Sequence, residues 1–219
     1  MRQLAQQEEE ELYPVFSEED IIPYIPAFAR RKEGMEEAAN IGALRGTAVH
    51  RVMECYRFDL PDTPAEQIEA MLKSGKITKE TKELVIPGQI EKFLRSDLAR
   101  RMGAAEAAGR LYREKPFVMG FRGEELARFG FGDCTEQKCG DLTLIQGIID
   151  AFWLEEDGIV LLDYKTDHVD SAKQLKDRYG AQLMLYGEAL NRIFAQDGKD
   201  TLRVKECLLY SFRLGEAVR

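Results

Sequence analysis

The chain has 219 residues, enough to bury a hydrophobic core without disulfide or metal staples. Hydrophobic residues make up 44% of it and charged residues 32%, which excludes collagen-like, low-complexity and wholly disordered classes. The net charge of −8 argues against a surface that binds phosphate everywhere, but it leaves room for a local basic groove.

Compartment and membrane association follow from two further features. No apolar run approaches the length needed to span a bilayer, and the amino terminus leads directly into Glu8–Glu11, so we predict neither a transmembrane helix nor a signal peptide. The cysteines follow no secreted disulfide framework and are interpreted as reduced thiols. We therefore expect a cytoplasmic protein with no membrane partner. The four cysteines are Cys55, Cys134, Cys139 and Cys207.

Residues 1–40 are predicted to form a leader and docking segment, because a Gln/Glu run is followed by prolines that prevent a long helix. Residues 41–219 are predicted to form one domain. Its helical part would cover 41–109, and a catalytic sheet and helix would cover 110–219.

Capping and periodicity place the helices of the helical part. Apolar residues recur at helical spacing between Arg45 and Arg57. Thr63-Pro64-Ala65-Glu66 has the order of a capping sequence, and the helix it opens should end at Gly75. Two more short helices are expected, over 79–85 and from Gln89 towards Met102.

The second half has a strand-rich pattern. Residues 110–121 should form a strand and 122–141 a glycine-rich loop or hairpin excursion. Two β-rich runs, 142–154 and 159–166, flank the turn sequence Glu-Glu-Asp-Gly and predict a hairpin. A long helix over 172–194 and a last strand over 204–212 complete the prediction.

The hairpin carries two acidic residues that should face each other. A turn centred on Glu156–Asp157 places Leu154 opposite Ile159 and Asp150 opposite Asp163. Directly opposed Cβ atoms are about 4.5–5.5 Å apart, and like charges there destabilise a sheet unless something offsets the repulsion. A divalent cation would offset it.

A lysine follows on the same strand. Asp163 and Lys165 are two residues apart and should project from one face, with Tyr164 on the other. A solvent-facing strand edge with a salt bridge would explain the same pattern. Against it, the opposite face would comprise Ile149, Leu162 and Tyr164, and flanking helices should cover both sides of the sheet.

Five ordered sequence blocks resemble the nuclease domain of RecB-type proteins, a branch of the PD-(D/E)xK superfamily. Within that branch the similarity is greatest to the carboxy-terminal nuclease domain of AddA-type helicase-nuclease proteins. The resemblance implies a restriction-endonuclease-like α/β fold with a central mixed β-sheet flanked by helices. The blocks are Gly46–His50, Arg113–Phe117, Gln146–Asp150, Asp163–Asp167 and Tyr179–Tyr186.

This resemblance implies a metal site and a catalytic lysine. His50, Asp150 and Asp163 would bind the catalytic metal together with the backbone carbonyl of Tyr164, and Lys165 would be the family's lysine. Carboxylate and carbonyl oxygens suit Mg²⁺, and an added imidazole makes Mn²⁺ possible. The metal would polarise the phosphodiester and activate water, while the lysine orients that water or stabilises charge on the phosphate.

Three further residues match supporting positions of the family. Gln182 and Tyr186 share a helix face and match a Q-x-x-x-Y motif beside the active site, although ordinary helix packing would also explain Tyr186. Glu114 matches an acidic position ahead of a proline and is assigned a supporting catalytic role, for which a buried structural ion pair is an equal alternative. Taken alone, His50 would be interpreted as a packed histidine, and only the G-T-x-x-H match favours a ligand. His168 matches no ligand position and is predicted to lie on the surface.

The resemblance also implies the biological setting. No nucleotide-binding G-x-x-x-x-G-K-[ST] motif is present, so a helicase would lie elsewhere in a parent chain, and an AddB-like protein would be a partner. The expected activity is Mg²⁺-dependent hydrolysis of DNA phosphodiesters during double-strand break repair and recombination, with single strands preferred. The cysteine spacing does not match relatives with an iron–sulfur cluster, so no cluster is expected.

Two alternatives remain open. One is a stand-alone RecB-like exonuclease acting on another DNA or RNA substrate. The other is an inactive nuclease fold that serves as a DNA-binding or subunit-docking module. The presence of both aspartates and the lysine disfavours the inactive module, which has no chemical need for three convergent charges.

Overall fold

The computed structural model describes residues 36–131, 142–196 and 202–219. By its contacts the chain divides into two units, residues 1–34 and 35–219, and everything below concerns the second. The predicted leader and docking segment lies outside the described residues except for 36–40, which are helical. Cys134 and Cys139 are also outside them, and among the described residues Cys55 and Cys207 are free thiols.

Five helices precede the sheet. The predicted capping box is confirmed, because the Thr63 hydroxyl accepts from Glu66 N–H and the Glu66 carboxylate accepts from Thr63 N–H. The prediction of one helix from Gln89 towards Met102 is wrong, because two helices cover this stretch. Ser96 caps the second helix by accepting from Ala99 N–H at 3.3 Å. The helices are α1 (Glu36–Cys55), α2 (Pro64–Lys73), α3 (Lys79–Leu84), α4 (Pro87–Leu94) and α5 (Asp97–Ala107).

The sheet has five strands in the order β1-β2-β3-β4-β5. All neighbours are antiparallel except β3 and β4, which are parallel and joined through the long helix α7. A short helix α6 follows β1 where a loop was predicted, and the last strand β5 was not predicted. The elements are β1 (Leu111–Arg122), α6 (Gly123–Arg128), β2 (Leu142–Glu155), β3 (Gly158–Lys165), α7 (Ala172–Gln196), β4 (Val204–Ser211) and β5 (Glu216–Val218).

Helices cover both faces of the sheet, as predicted. On one face Trp153 and Leu162 are buried in a core shared with α1–α5, including Val52 and Phe93. On the other face lies a separate core shared with α7, which includes Leu175 and Leu190. Fully burying side chains of this size contributes about 1.5–3 kcal/mol each, so the two cores hold the sheet between two helical layers.

Strand β1 changes face once along its length. Tyr112 packs into the α7 core, and so does Phe117, although five residues separate them and strict alternation would put them on opposite faces. The break falls at Glu114, which has a positive φ of 46°. A non-glycine residue in this region costs about 1–3 kcal/mol, so surrounding contacts must hold it there.

Strand β2 also changes face, at Asp150, the position opposite Glu114 in the β1–β2 register. Phe152 and Ile149 both pack into the α7 core although they are three residues apart. Pairing with β1 stops at Asp150 and resumes at Ile149 with no shift in register. The prediction that Ile149 shares a face with Leu162 and Tyr164 is therefore wrong, because both strands turn over together at this point.

No helix within the three described stretches combines the length and the hydropathy that a membrane crossing requires.

Candidate active site

Asp150 lies where the β2–β3 hairpin opens. The predicted register is confirmed from Leu154–Ile159 to Ala151–Leu162. The pairing ends there, so the predicted strand pair of Asp150 with Asp163 is not formed. Instead of a strand carbonyl, the Asp150 Oδ2 atom accepts a hydrogen bond from Tyr164 N–H at 2.7 Å. Only 7% of Asp150 is exposed, so the carboxylate is buried in the sheet.

Asp163 and Lys165 form a buried ion pair on the α7 face, with 2.7 Å between Lys165 Nζ and Asp163 Oδ2. Burial raises the pKa of Asp163, and the charge of Asp150 raises it further, so that it reaches about 6 despite the opposing effect of Lys165. Burial lowers the pKa of Lys165, but the carboxylates of Asp163, Asp150 and Asp167 together raise it above its ordinary value. The ammonium is therefore kept protonated.

Helix α1 delivers His50 to the same place. Its Nε2 lies 3.2 Å from the Tyr164 carbonyl oxygen, and its Nδ1 lies 3.2 Å from Asp150 Oδ1. Burial lowers the pKa of His50, but attraction to the nearby carboxylates of Asp150, Glu114 and Asp163 together raises it to about 10. Gly46, one turn earlier, allows the approach, because a Cβ there would lie 3.1 Å from Thr166 Oγ1.

Glu114 completes the group. Its Oε1 is 3.7 Å from His50 Nδ1, and one potential ligand atom from each of His50, Glu114 and Asp150 lies within 4.8 Å of the other two. The positive φ of Glu114 turns this side chain towards the cluster at the point where β1 changes face. The strain falls on a residue of the cluster, as is common at functional sites.

The residues present fit a hard divalent cation. Glu114 and Asp150 supply carboxylate oxygens within reach of one imidazole, and the charge of Asp150 acts on buried Asp163. Clustered carboxylates repel one another, and a bound cation would relieve that repulsion. The carbonyl oxygen of Tyr164 faces the same imidazole. The three clustered side chains are thus His50, Glu114 and Asp150, while the predicted ligand Asp163 interacts with them electrostatically, through the charges of Asp150 and His50.

Gln182 and Tyr186 form a pair on α7, with Gln182 Nε2 donating to Tyr186 Oη at 3.0 Å. Burial raises the pKa of Tyr186, and the charges of Asp163 and Lys165 also act on it. Gly147 lies beneath them, because a Cβ there would come within 2.8 Å of Tyr186 Oη. The glycine of the Q-G-I-I-D block therefore makes room for this tyrosine.

Sequence reasoning gave no role to Tyr179, although it opens the last family block. Lys165 Nζ lies 4.4 Å from the centroid of the Tyr179 ring, and the residue is 3% exposed. Its spacing of three and seven residues from Gln182 and Tyr186 was the available signal, because such residues share a helix face. His168, by contrast, is exposed, as predicted.

The chain is similar to known proteins over most of its length. A family model described as the PD-(D/E)XK nuclease superfamily matches residues 26–216. Proteins named as ATP-dependent helicase/nuclease subunits are similar: one from Alkaliphilus metalliredigens is 35% identical over 92% of this chain, and one from Geobacillus kaustophilus is 35% identical over 88%. A third, from Lachnoclostridium phytofermentans, is 31% identical over 94%. The chain spans only 15–17% of the length of these relatives.

Proposed function

The chain belongs to the PD-(D/E)XK nuclease superfamily, and from this premise we propose that it hydrolyses DNA phosphodiester bonds with a divalent metal ion, Mg²⁺ or Mn²⁺. The observation that carries the proposal is the convergence of His50, Glu114 and Asp150 beside the buried Asp163–Lys165 ion pair. A purely structural ion pair needs one acid and one base. This site holds three carboxylates, an imidazole and an ammonium.

Each side chain has a role in the proposed reaction. His50, Asp150, Asp163 and the Tyr164 carbonyl would hold the metal, with Glu114 in support. A bound divalent ion would neutralise phosphate charge and lower the pKa of a water molecule. We assign the Lys165 ammonium, which is paired with Asp163, to donating a hydrogen bond to the attacking water or the phosphate.

The Gln182–Tyr186 pair supplies further polar groups, and the charges of Asp163 and Lys165 act on Tyr186. We assign both residues to positioning the scissile phosphate, since an amide and a phenol can donate to phosphate oxygens without adding charge. Glu114 is assigned to the metal site because the alternative of a structural ion pair leaves its strained backbone unexplained.

The setting proposed for this activity is a helicase–nuclease that processes double-strand breaks in DNA repair. The relatives carry both activities in their names, and a helicase region in a parent chain and an AddB-like partner would complete the assembly. The cleavage would be exonucleolytic, and the protein would act in the cytoplasm. Single-stranded DNA is the preferred substrate, because no nucleotide-binding loop motif in this sequence could drive unwinding.

A nuclease assay on single-stranded and duplex DNA with Mg²⁺, Mn²⁺ or EDTA tests the proposal. We expect metal-dependent cleavage of single strands that EDTA abolishes and that Lys165→Ala lacks. Efficient digestion of blunt duplex would favour the stand-alone exonuclease. DNA binding without cleavage under every metal condition would favour the inactive module.

A further inference from the structure

The Lys165 ammonium has two close partners. Asp163 Oδ2 lies 2.7 Å from Nζ, and the centroid of the Tyr179 ring lies 4.4 Å from the same atom. The lysine side chain is only 13% exposed. A lysine has a flexible four-carbon stem and a point charge, so the strand fixes its Cβ while these two partners fix its charged end.

The two partners differ in whether they would still attract the ammonium once a metal is bound. Asp163 is a proposed metal ligand, and a carboxylate that shares its charge with a metal attracts an ammonium less strongly. The face of an aromatic ring attracts cations through its quadrupole and binds no metal itself. Tyr179 is therefore the partner whose attraction for Lys165 persists when the carboxylate is engaged.

Helix α7 keeps the ring in place. Tyr179 is 3% exposed, and its helix face also carries Gln182 and Tyr186, which are joined by a hydrogen bond. Burial, together with a hydrogen bond to Asp167, raises the pKa of the Tyr179 hydroxyl. Asp167 follows Lys165 by two residues, so the phenol is tied to the end of the strand that carries the lysine.

We propose that Tyr179 is a positioning residue for the reaction, whose ring face holds the Lys165 ammonium at the point from which it donates to water or phosphate. This inference rests on the proposed function for the role of Lys165. The contact of the ring with Nζ stands independently of that function. The aromatic face is the essential feature and the hydroxyl is an anchor for it.

Substitutions at Tyr179 separate the ring from the hydroxyl. We expect Tyr179→Phe to keep kcat within about threefold of wild type and Tyr179→Leu to lower kcat about tenfold with KM within about twofold. Phe194→Leu is the matched control, because it removes a buried aromatic ring from the other end of the same helix. It should lower the melting temperature comparably and leave kcat unchanged. A Tyr179→Leu variant with wild-type kcat would overturn the inference.

A shape-preserving series covers the case in which Tyr179→Leu fails to fold. Phenylalanine with three or five ring fluorines at position 179 keeps the ring while weakening and then reversing its quadrupole. We expect kcat to fall with each step while the melting temperature stays near that of Tyr179→Phe. Equal kcat across the series would contradict an electrostatic role for the ring.

The metal-free protein gives a readout that does not depend on activity. Protons above an aromatic face are shifted upfield, so the ε-methylene protons of Lys165 should be shifted upfield in wild type and Tyr179→Phe. In Tyr179→Leu they should move towards random-coil values. An unchanged shift in Tyr179→Leu would refute the contact. A wild-type chain that shows this shift but no cleavage would refute the proposed function and leave the placement of the ammonium supported.

Discussion

The backbone N–H of Tyr164 donates to the Asp150 carboxylate at 2.7 Å, just beyond Ala151–Leu162, the last backbone pair of the β2–β3 hairpin. An acidic side chain therefore replaces a strand carbonyl as the acceptor. With Asp150 held in this way, its Oδ1 faces His50 Nδ1, and the Tyr164 carbonyl faces Nε2 of the same imidazole. One hydrogen bond thus aligns three of the proposed metal ligands.

Metal binding should depend on these ligands and not on the fold. We expect Asp150→Asn, Asp163→Asn and His50→Ala each to weaken Mn²⁺ binding at least about tenfold in calorimetry, because each removes a ligand charge or atom. The amide oxygen introduced by Asp150→Asn can still accept from Tyr164 N–H, so that variant should stay folded. His168→Ala is the control and should bind normally. Unchanged binding in all three ligand variants would return His50 to the role of a packed histidine.

Removing the ion pair should abolish cleavage and spare the fold. Lys165→Ala and Asp163→Ala should each lower kcat at least about 100-fold, the scale expected for losing a group that stabilises transition-state charge. Lys165→Ala should retain Mn²⁺ binding, whereas Asp163→Ala should lose it. Circular dichroism checks the fold, and single-turnover cleavage checks the chemistry. Wild-type rates in either variant would show that the active site has been assigned wrongly.

Gly147 should be intolerant of a methyl group. A Cβ there would lie 2.8 Å from Tyr186 Oη and 2.9 Å from Phe117 Cε1, so Gly147→Ala must displace both rings. Overpacking of this kind costs about 1–3 kcal/mol, and we expect cleavage to fall as well because Tyr186 moves. Gly42→Ala is the matched control: among the described residues, its added Cβ meets no other atom within 4 Å beyond the adjacent residues and the local helix backbone, and it should be neutral or slightly stabilising. Equal behaviour of the two variants would contradict the close approach.

An ion-pair network away from the site should make stability depend on pH. Hydrogen bonds from Arg101 have the largest effect on the pKa of Glu155 and lower it. Partial burial opposes them and hydrogen bonds from Lys205 and Trp153 lower the pKa further, so it falls from 4.5 to about 2. A carboxylate whose pKa is lowered by folding stabilises the folded state at pH values above its unfolded pKa. This stability is lost as the pH falls from 4.5 through 2. Glu155→Gln should therefore reduce the free energy of unfolding at pH 7, by about 1 kcal/mol once solvent screening of this partly exposed group is included. Denaturant unfolding should show this difference shrinking towards pH 2, and a constant difference would count against the ion pair.

The isolated chain should bind DNA weakly. With a net charge of −8, it offers few phosphate-neutralising contacts, and affinity from such contacts falls with salt. We expect weak, salt-sensitive binding to single-stranded DNA, and cleavage that prefers single strands over blunt duplex. Fluorescence anisotropy across a salt series measures the binding. Tight binding at physiological salt would indicate that no motor is needed to deliver the strand.

Local rules in the sequence determined the hairpin register, the shared face of Asp163 and Lys165, and the cap at Thr63. Each depends on residues within a few positions of one another, where strand alternation and capping chemistry act directly. The proximity of His50 to Asp150 could be expected only from the family resemblance, because 100 residues separate them in the chain.

Tertiary structure alone decided the remaining features. The positive φ of Glu114 and the change of face at Asp150 conflict with strand alternation, and contacts from a distant helix and strand hold them in place. The placement of Tyr179 against Lys165 depends on how α7 packs across the sheet. Such contacts join residues far apart in sequence, and their geometry is fixed only when both cores close around the sheet.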